Sequence, residues 1–284
     1  VKQQTIASIL ANQQDRPVSH RDAEILISWC LNLRREELLA HPEREITPEE
    51  YDRISSELTR RADGEPVAYI TGSKEFYGFP FAVDHRALIP RPETEGIVSR
   101  ALAHIATEPK RILEVGTGCG AISVAVAASL ATPQQFTITE VDPAALALAQ
   151  ENWNANVTTP HTVTWLVSDL LENNEIAGPF DIVLANLPYV ENRWQHDPAA
   201  QRDVVFWEPD LALFGGEDGL DLYRKFFHQL PEYVNSGATI LAEHGDIQGE
   251  AMRTLAATSF PGAAAQTHQD YAGLDRILEV TLPA

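Results

Sequence analysis

Apolar residues recur at helical spacing through the first seventy positions of the chain and in short strand-like runs after residue 111. In "SHRDAEILISWCLNL", Ser19 stands as an N-cap with Asp22 three residues on, and Ala23, Leu26, Ile27, Cys30 and Leu33 share one face. "TPEEYDRISSELTRRADGEP" repeats these signals. Thr47 is the cap, Pro48 takes the first helical position, Glu50 completes a capping box, and Gly64 with Pro66 forms the stop. Two amphipathic helices of this kind bury their stripes against each other, so residues 1–74 are expected to form a small helical bundle.

The period changes in "EFYGFPFAVDHRALIPRPETE", where aromatic and β-branched residues around Gly78 and Pro80 predict a short irregular hairpin. Residues 75–92 are therefore expected to link two domains. Strand and helix patterns then alternate from Arg111 on. They run through "RILEVG", a helix from Ala121, "FTITEVD", a helix from Pro143, "TVTWLVSD", "DIVLANLPYV", a helix near Asp221 and "ATILAEHG". Such alternation predicts an α/β domain over 93–284, with a mostly parallel sheet covered on both faces and "DRILEVTL" as an edge strand.

Composition narrows the class. Of 284 residues, 44% are apolar and 22% charged, as in a globular protein. No run of about 18 apolar residues predicts a membrane span, and "VKQQTIASILANQQDRPVSHRD" lacks the continuous apolar region of a secretory signal. The expected location is the cytoplasm. Cys30 and Cys119 are the only two cysteines and have no zinc-ligand spacing, so neither a disulfide nor a metal site is expected. A formal charge of −20 disfavours a nucleic-acid substrate, because most of the surface would repel a phosphate backbone. Simple solubility explains the acidity equally well.

The strongest local signal is "LEVGTGCG", a strand running into Gly116, Gly118 and Gly120 and then a helix. Glycines there let the backbone turn sharply and a ligand approach without a β-carbon in the way, and the helix start offers unpaired amides. The G-x-G-x-G spacing is tighter than the dinucleotide fingerprint. It suits S-adenosyl-L-methionine, with its amino-acid carboxylate and nucleoside, better than NAD.

A nucleoside needs a carboxylate at the end of the next strand, where Glu140 and Asp142 are the candidates. Asp142 precedes Pro143 and a helix, so N-capping accounts for it. Glu140 is the better ribose ligand. Asp169 and Leu170, after a third strand, are placed to meet the adenine, with helix capping as the other reading of Asp169.

The fourth strand ends at Asn186 in "LANLPYV". The Asn186 side-chain carbonyl and the Leu187 backbone carbonyl, held by the fixed φ of Pro188, make two acceptors converging on an NH2 group. Accepting both hydrogens returns electron density to a delocalised nitrogen in the transition state. Tyr189 is expected to stack on the planar group and aim the nitrogen. His244, a lone histidine after a buried strand, reads as structural.

With these residues in place, the sequence resembles the class I S-adenosylmethionine-dependent methyltransferases. Within them it resembles the peptide chain release factor glutamine methyltransferases, the PrmC/HemK family. The resemblance spans nearly the whole chain, through "RDAEILI", "RRADGEPVAYITGSKEFYG", "LIPRPETE", "ILEVGTGCGAISVA", "NLPYV", "FWEPDLALFGGEDGLDLYR", "LAEHGDIQGE" and "DYAGLDRILEV". It implies a Rossmann-like domain with a seven-stranded sheet and an N-terminal helical domain that recognises substrate. The implied substrate is the glutamine of the GGQ motif in class-1 release factors, a protein partner, methylated by direct in-line transfer.

The resemblance places the cofactor on Gly116, Thr117, Gly118, Cys119, Gly120, Glu140, Leu170 and Asn186, and the substrate on Asn186, Leu187, Pro188 and Tyr189. Two positions depart from the family pattern. Glutamate replaces the usual aspartate at position 140, and the common N-P-P-Y has Leu187 in place of its first proline. N-L-P-Y is also the form in ribosomal RNA adenine dimethyltransferases, which keeps nucleic-acid adenine methylation as the alternative. Arg91 and Glu93 either close over the site or pin the two domains together.

Overall fold

The computed structural model describes residues 4–11, 17–105, 108–196 and 207–284. The described residues divide into two compact units, the first running to Ser73 and also taking Trp207, the second holding the rest from Lys74 onward.

In the first unit, α1 (Ile6–Ala11) follows β1 (Gln4–Thr5), which pairs antiparallel with β2 (Glu45–Ile46). Helix α2 (His20–Leu31) starts where its sequence directs, the Ser19 hydroxyl accepting from the Asp22 amide at 3.0 Å. A short α3 (Arg35–Ala40) leads on to α4 (Pro48–Ala62). The capping box of α4 closes both ways: Thr47 Oγ1 accepts from the Glu50 amide at 3.2 Å, and Glu50 Oε2 accepts from the Thr47 amide at 3.0 Å. Ala23, Leu26, Ile27 and Cys30 of α2 pack with Ile54 and Leu58 of α4 in one buried cluster, and Leu33 joins its edge. Helix α5 (Val67–Thr71) ends at Gly72, whose φ of 69° reverses the chain.

The second unit opens with β3 (Ser73–Phe76) and β4 (Phe79–Ala82), a two-stranded sheet turning at Tyr77 and Gly78, both at positive φ. After α6 (Glu95–His104) come β5 (Arg111–Val115), α7 (Ala121–Ala128), β6 (Gln135–Glu140), α8 (Pro143–Asn156), β7 (Thr162–Val167) and β8 (Phe180–Ala185). Helix α9 (Asp221–Gln229), β9 (Val234–Glu243), α10 (Gly249–Ser259), β10 (Ala264–Gln269) and β11 (Asp275–Thr281) complete it. The sheet has seven strands in the order β10-β11-β9-β8-β5-β6-β7, and β9, β8, β5, β6 and β7 run parallel. This is the Rossmann-like class I methyltransferase architecture.

One strand lies elsewhere than its pattern suggested. "DRILEVTL" forms β11, which is not an edge strand but sits between β9 and β10, antiparallel to both. The edge belongs to β10, "AAQTHQ", whose half-exposed polar residues disguise it as loop. An edge strand needs only one hydrogen-bonded neighbour and little apolar surface.

From β5 the chain moves outward through β6 and β7, then returns to place β8 on the other side of β5. That reversal is a topological switch point, and it opens a crevice at the carboxyl ends of β5 and β8.

Candidate active site

A cleft of about 1010 Å³, open to solvent, occupies this crevice.

Its floor is the turn after β5. Gly116, Gly118 and Gly120 take φ of 72°, 57° and 84°. A Cβ on Gly116 would come within 2.9 Å of Leu187 Cδ2, and one on Gly120 would lie 3.0–3.1 Å from Ala149 of α8. Gly116, Thr117, Gly118 and Cys119 all line the cleft. Gly120 does not; it is the N-cap of α7, and its lack of a side chain serves helix packing. Cys119 is buried, which pushes its thiol up to about 12 and leaves it neutral.

Glu140 ends β6 facing the same space. It has a local duty that the sequence did not reveal. Its Oε2 accepts from the Gly118 amide at 2.8 Å, and Oε1 accepts from Val141 and Asp142 at 2.8 and 3.2 Å. The carboxylate therefore shapes the glycine turn as well as facing the cleft. Burial raises its pKa against these three amides. Asp142 caps α8 as its sequence suggested, accepting from Ala144 at 2.8 Å, and it lines the cleft too.

Asp169 and Leu170 line the cleft beyond β7. No helix starts at Asp169, so its capping reading fails: residues 169–171 form a turn. The Ser168 hydroxyl donates to the Leu170 carbonyl at 2.9 Å, closing this turn with Leu170 at φ 50°.

Glu114 is a lining residue that sequence reasoning missed. It lies at the end of β5, 1% exposed, and accepts from Thr117 Oγ1 at 2.8 Å and the Ser123 amide at 3.2 Å. Burial raises its carboxyl to about 7. The signal was available: an acidic residue in an otherwise apolar buried strand, immediately before a glycine turn, is an anomaly. Asn152 of α8 was also missed. Its amide donates to Cys119 O at 2.9 Å and exchanges bonds of 2.7 and 3.0 Å with Ala82, tying β4 to the glycine turn.

The opposite wall comes from "RALIPRPET", with Arg86, Ala87, Leu88, Pro90, Arg91 and Thr94 lining. Glu208, buried, holds this wall by accepting from the Ile89 amide at 2.8 Å and pairing with Arg91. Arg91 thus lines the cleft and its partner lies in the same unit; Glu93 does not line it.

Asn186, Leu187 and Pro188 enter from the end of β8. Asn186 Nδ2 donates to Thr94 Oγ1 at 3.2 Å, which leaves Oδ1 as the free acceptor. The Leu187 amide donates to the Tyr223 hydroxyl at 3.1 Å, and that hydroxyl donates to the Glu243 carbonyl. The Leu187 side chain is 2% exposed and fills the space Gly116 leaves, so it has a packing role beyond its backbone. Tyr189 is not brought to the cleft. Its hydroxyl donates to Glu243 Oε1 at 3.0 Å, and its carbonyl accepts from Gln248 Nε2 at 3.0 Å. His244 is fully buried, lies outside the lining, and is pushed down in pKa by burial.

Among the described residues, no helix is long and apolar enough to cross a membrane.

Comparison with known proteins places this geometry in context. The methyltransferase from Pyrococcus furiosus superposes with a TM-score of 0.50 at 15% identity, over 71% of this chain and 87% of that one, a likeness of fold. Residues 4–72 match the PrmC N-terminal domain, and residues 97–205 the Methyltransferase small domain. The release factor glutamine methyltransferase of Koribacter versatilis is 38% identical, over 81% of each chain. That of Aliivibrio fischeri is 33% identical over 96% of this chain and 93% of its own, and that of Escherichia coli K12 is 36% identical over 88% and 86%. Similarity of that extent, running through both units and the cleft, makes the chain an enzyme of the release factor glutamine methyltransferase family.

Proposed function

We propose that this protein transfers a methyl group from S-adenosyl-L-methionine to the side-chain amide nitrogen of the GGQ glutamine in a class-1 release factor. The observation that carries the chemistry is the orientation of Asn186: Thr94 takes its NH2, so Oδ1 is free at the cleft to accept from a substrate NH2. Family membership supports the release factor as substrate.

The donor set fits the cofactor. Gly116 and Gly118 leave room for close approach, Glu140 and Glu114 offer carboxylates to a ribose and an ammonium group, and Leu170 offers apolar contact. When bound, the cofactor supplies an electrophilic methyl group on a sulfonium. The chain's own contribution is positional. Asn186 Oδ1 and the Leu187 carbonyl accept the two amide hydrogens and keep the nitrogen lone pair available for in-line attack. Pro188 fixes the backbone between them. Tyr189 does not line the cleft, its hydroxyl being anchored on Glu243, so the positioning falls to Asn186, Leu187 and Pro188. Residues 1–74 are the proposed release factor recognition domain, and the cytoplasm is the proposed site of action.

Incubation with labelled S-adenosyl-L-methionine and a purified release factor, its GGQ glutamine variant, or ribosomal RNA tests the reading. Label is expected on the intact release factor alone; label on the RNA alone would select adenine methylation instead. Asn186→Ala should lower turnover by roughly 100-fold or more while retaining measurable cofactor binding. Near-normal turnover in that variant would remove Asn186 from the chemistry.

A further inference from the structure

The segment "LFGGEDGL", residues 213–220, runs against the backbone that follows Asn186. The Val190 amide donates to the Leu213 carbonyl and the Gly215 amide to the Val190 carbonyl, both at 2.9 Å. The approach is so close that a Cβ on Gly215 would lie 2.3 Å from the Pro188 carbonyl oxygen, and one on Gly219 2.1 Å from that of Tyr189. Gly219 also needs glycine for its φ of 76°. Gly215 has no positive φ, so the approach alone excludes a side chain there.

Gln248, just ahead of α10 and 7% exposed, ties the two segments together. Its Nε2 donates to the Tyr189 carbonyl and to the Asp218 carbonyl, each at 3.0 Å, and its Oε1 accepts from the Gly245 amide at 2.8 Å. Although it stands at the N-cap position of α10, its side chain makes no capping bond there. Both amide hydrogens and the carbonyl are committed to backbone groups of three turns. A glutamate of the same shape could still accept from Gly245, but it would present an acceptor to two carbonyls.

The direction of the Leu187 carbonyl follows from the plane of the Leu187–Pro188 peptide. The pyrrolidine ring locks Pro188 φ and disfavours helical backbone at Leu187, so the neighbouring peptides set what rotation is left. On one side, the Leu187 amide donates to the Tyr223 hydroxyl at 3.1 Å. On the other, Gly215 makes room for the Pro188 carbonyl, and Gln248 holds that of Tyr189. Among the described residues no hydrogen bond reaches the Leu187 carbonyl itself, and Leu187 lines the cleft. Its neighbours hold this acceptor in place and leave it open.

We propose that Gln248 is a positioning residue that, together with Gly215, fixes the peptides following Pro188 and so keeps the Leu187 carbonyl aimed at the substrate amide. This rests on the reading of that carbonyl as one of the two acceptors for the substrate NH2. Gln248 does not line the cleft and acts only through the backbone it holds.

The test uses the full chain with labelled S-adenosyl-L-methionine and a purified release factor, and measures kcat, release factor KM, cofactor Kd and thermal unfolding. Gln248→Glu should lower kcat about 10- to 100-fold, as for a small misplacement at the reacting centre, while KM and cofactor Kd stay within about twofold. Gly215→Ala, which displaces the Pro188 carbonyl directly, should give the same pattern. Gln248→Met removes both donors without adding charge and replaces Gln248→Glu should that variant fold poorly. Gly262→Ala is the control for lost stability: its φ of 88° strains the substitution, nothing lies within 4 Å, and kcat should stay at the parent level. Full kcat in the Gln248 and Gly215 variants overturns the positioning role alone, as does a loss matched by an equal loss of cofactor affinity and reproduced by Gly262→Ala. Full kcat in Asn186→Ala overturns the acceptor pair and the positioning role together.

Discussion

Glu114, a cleft-lining carboxyl, is buried at a cost to stability. Its carboxyl rises from the ordinary 4.5 to about 7 because burial removes water from the charged form, and the bonds from Thr117 and Ser123 offset this only in part. Between those values the unfolded chain releases a proton that the folded chain keeps. Stability therefore falls as pH rises through this window, by about 3 kcal/mol in all. Glu114→Gln should flatten that slope and be more stable than the parent at pH 8, as read by urea denaturation across pH. If the cleft holds a cationic sulfonium and ammonium as proposed, the same variant should bind S-adenosyl-L-methionine more weakly. Parental affinity should strengthen as pH rises through about 7, because the ionised carboxylate is the form that attracts the ligand. An unchanged pH slope in Glu114→Gln would mean that this carboxyl does not titrate in the window.

At the scale of elements, the glycine turn joins β5 to α7 and is shaped from outside itself. Glu140 of β6 binds the Gly118 amide, Asn152 of α8 binds the Cys119 carbonyl, and Leu187 after β8 occupies the space above Gly116. Gly116→Ala would combine a φ of 72° with a methyl group 2.9 Å from the Leu187 side chain. A loss of about 1–3 kcal/mol is expected for that backbone strain, together with weakened cofactor binding; measured stability equal to the parent would show that the turn relaxes freely. Helix starts behave differently. The Thr47 capping box of α4 is complete within four residues, so Thr47→Ala should cost about 1 kcal/mol wherever the rest of the chain lies.

At the scale of the whole molecule, each unit contains, among the described residues, a buried hydrophobic cluster of its own. One is built from residues between Ile6 and Ile70, the other from residues between Leu113 and Val280. All residues lining the cleft belong to the second unit. Saturating S-adenosyl-L-methionine should therefore slow amide exchange in β5, β6 and β8 and the turns that follow them, while helices α2 and α4 change little. Equal protection in α2 and α4 would show that ligand binding stabilises both cores as one. The charge of −20 remains compatible with solubility alone, and its bearing on substrate choice is read by the release factor and RNA comparison.

What the chain determined by itself is local or periodic. The Ser19 and Thr47 caps, the stripes of α2 and α4, the alternation of β5 to β9 with their helices, and the glycine turn depend on residues within a few positions of one another, so their physics is legible in one dimension. The placement of Asn186, Glu140 and Asp169 toward one crevice followed from the rule that parallel strands present ligand sites at their carboxyl ends. Only the tertiary structure decided the rest. The order of β10 and β11, the three amides on Glu140, the Asn152 tie and the fixing of Asn186 by Thr94 join residues that are distant in sequence or on different strands. No spacing rule encodes which edge of a carboxamide faces the cleft, because that choice is made by the hydrogen-bonding neighbours that folding brings to it.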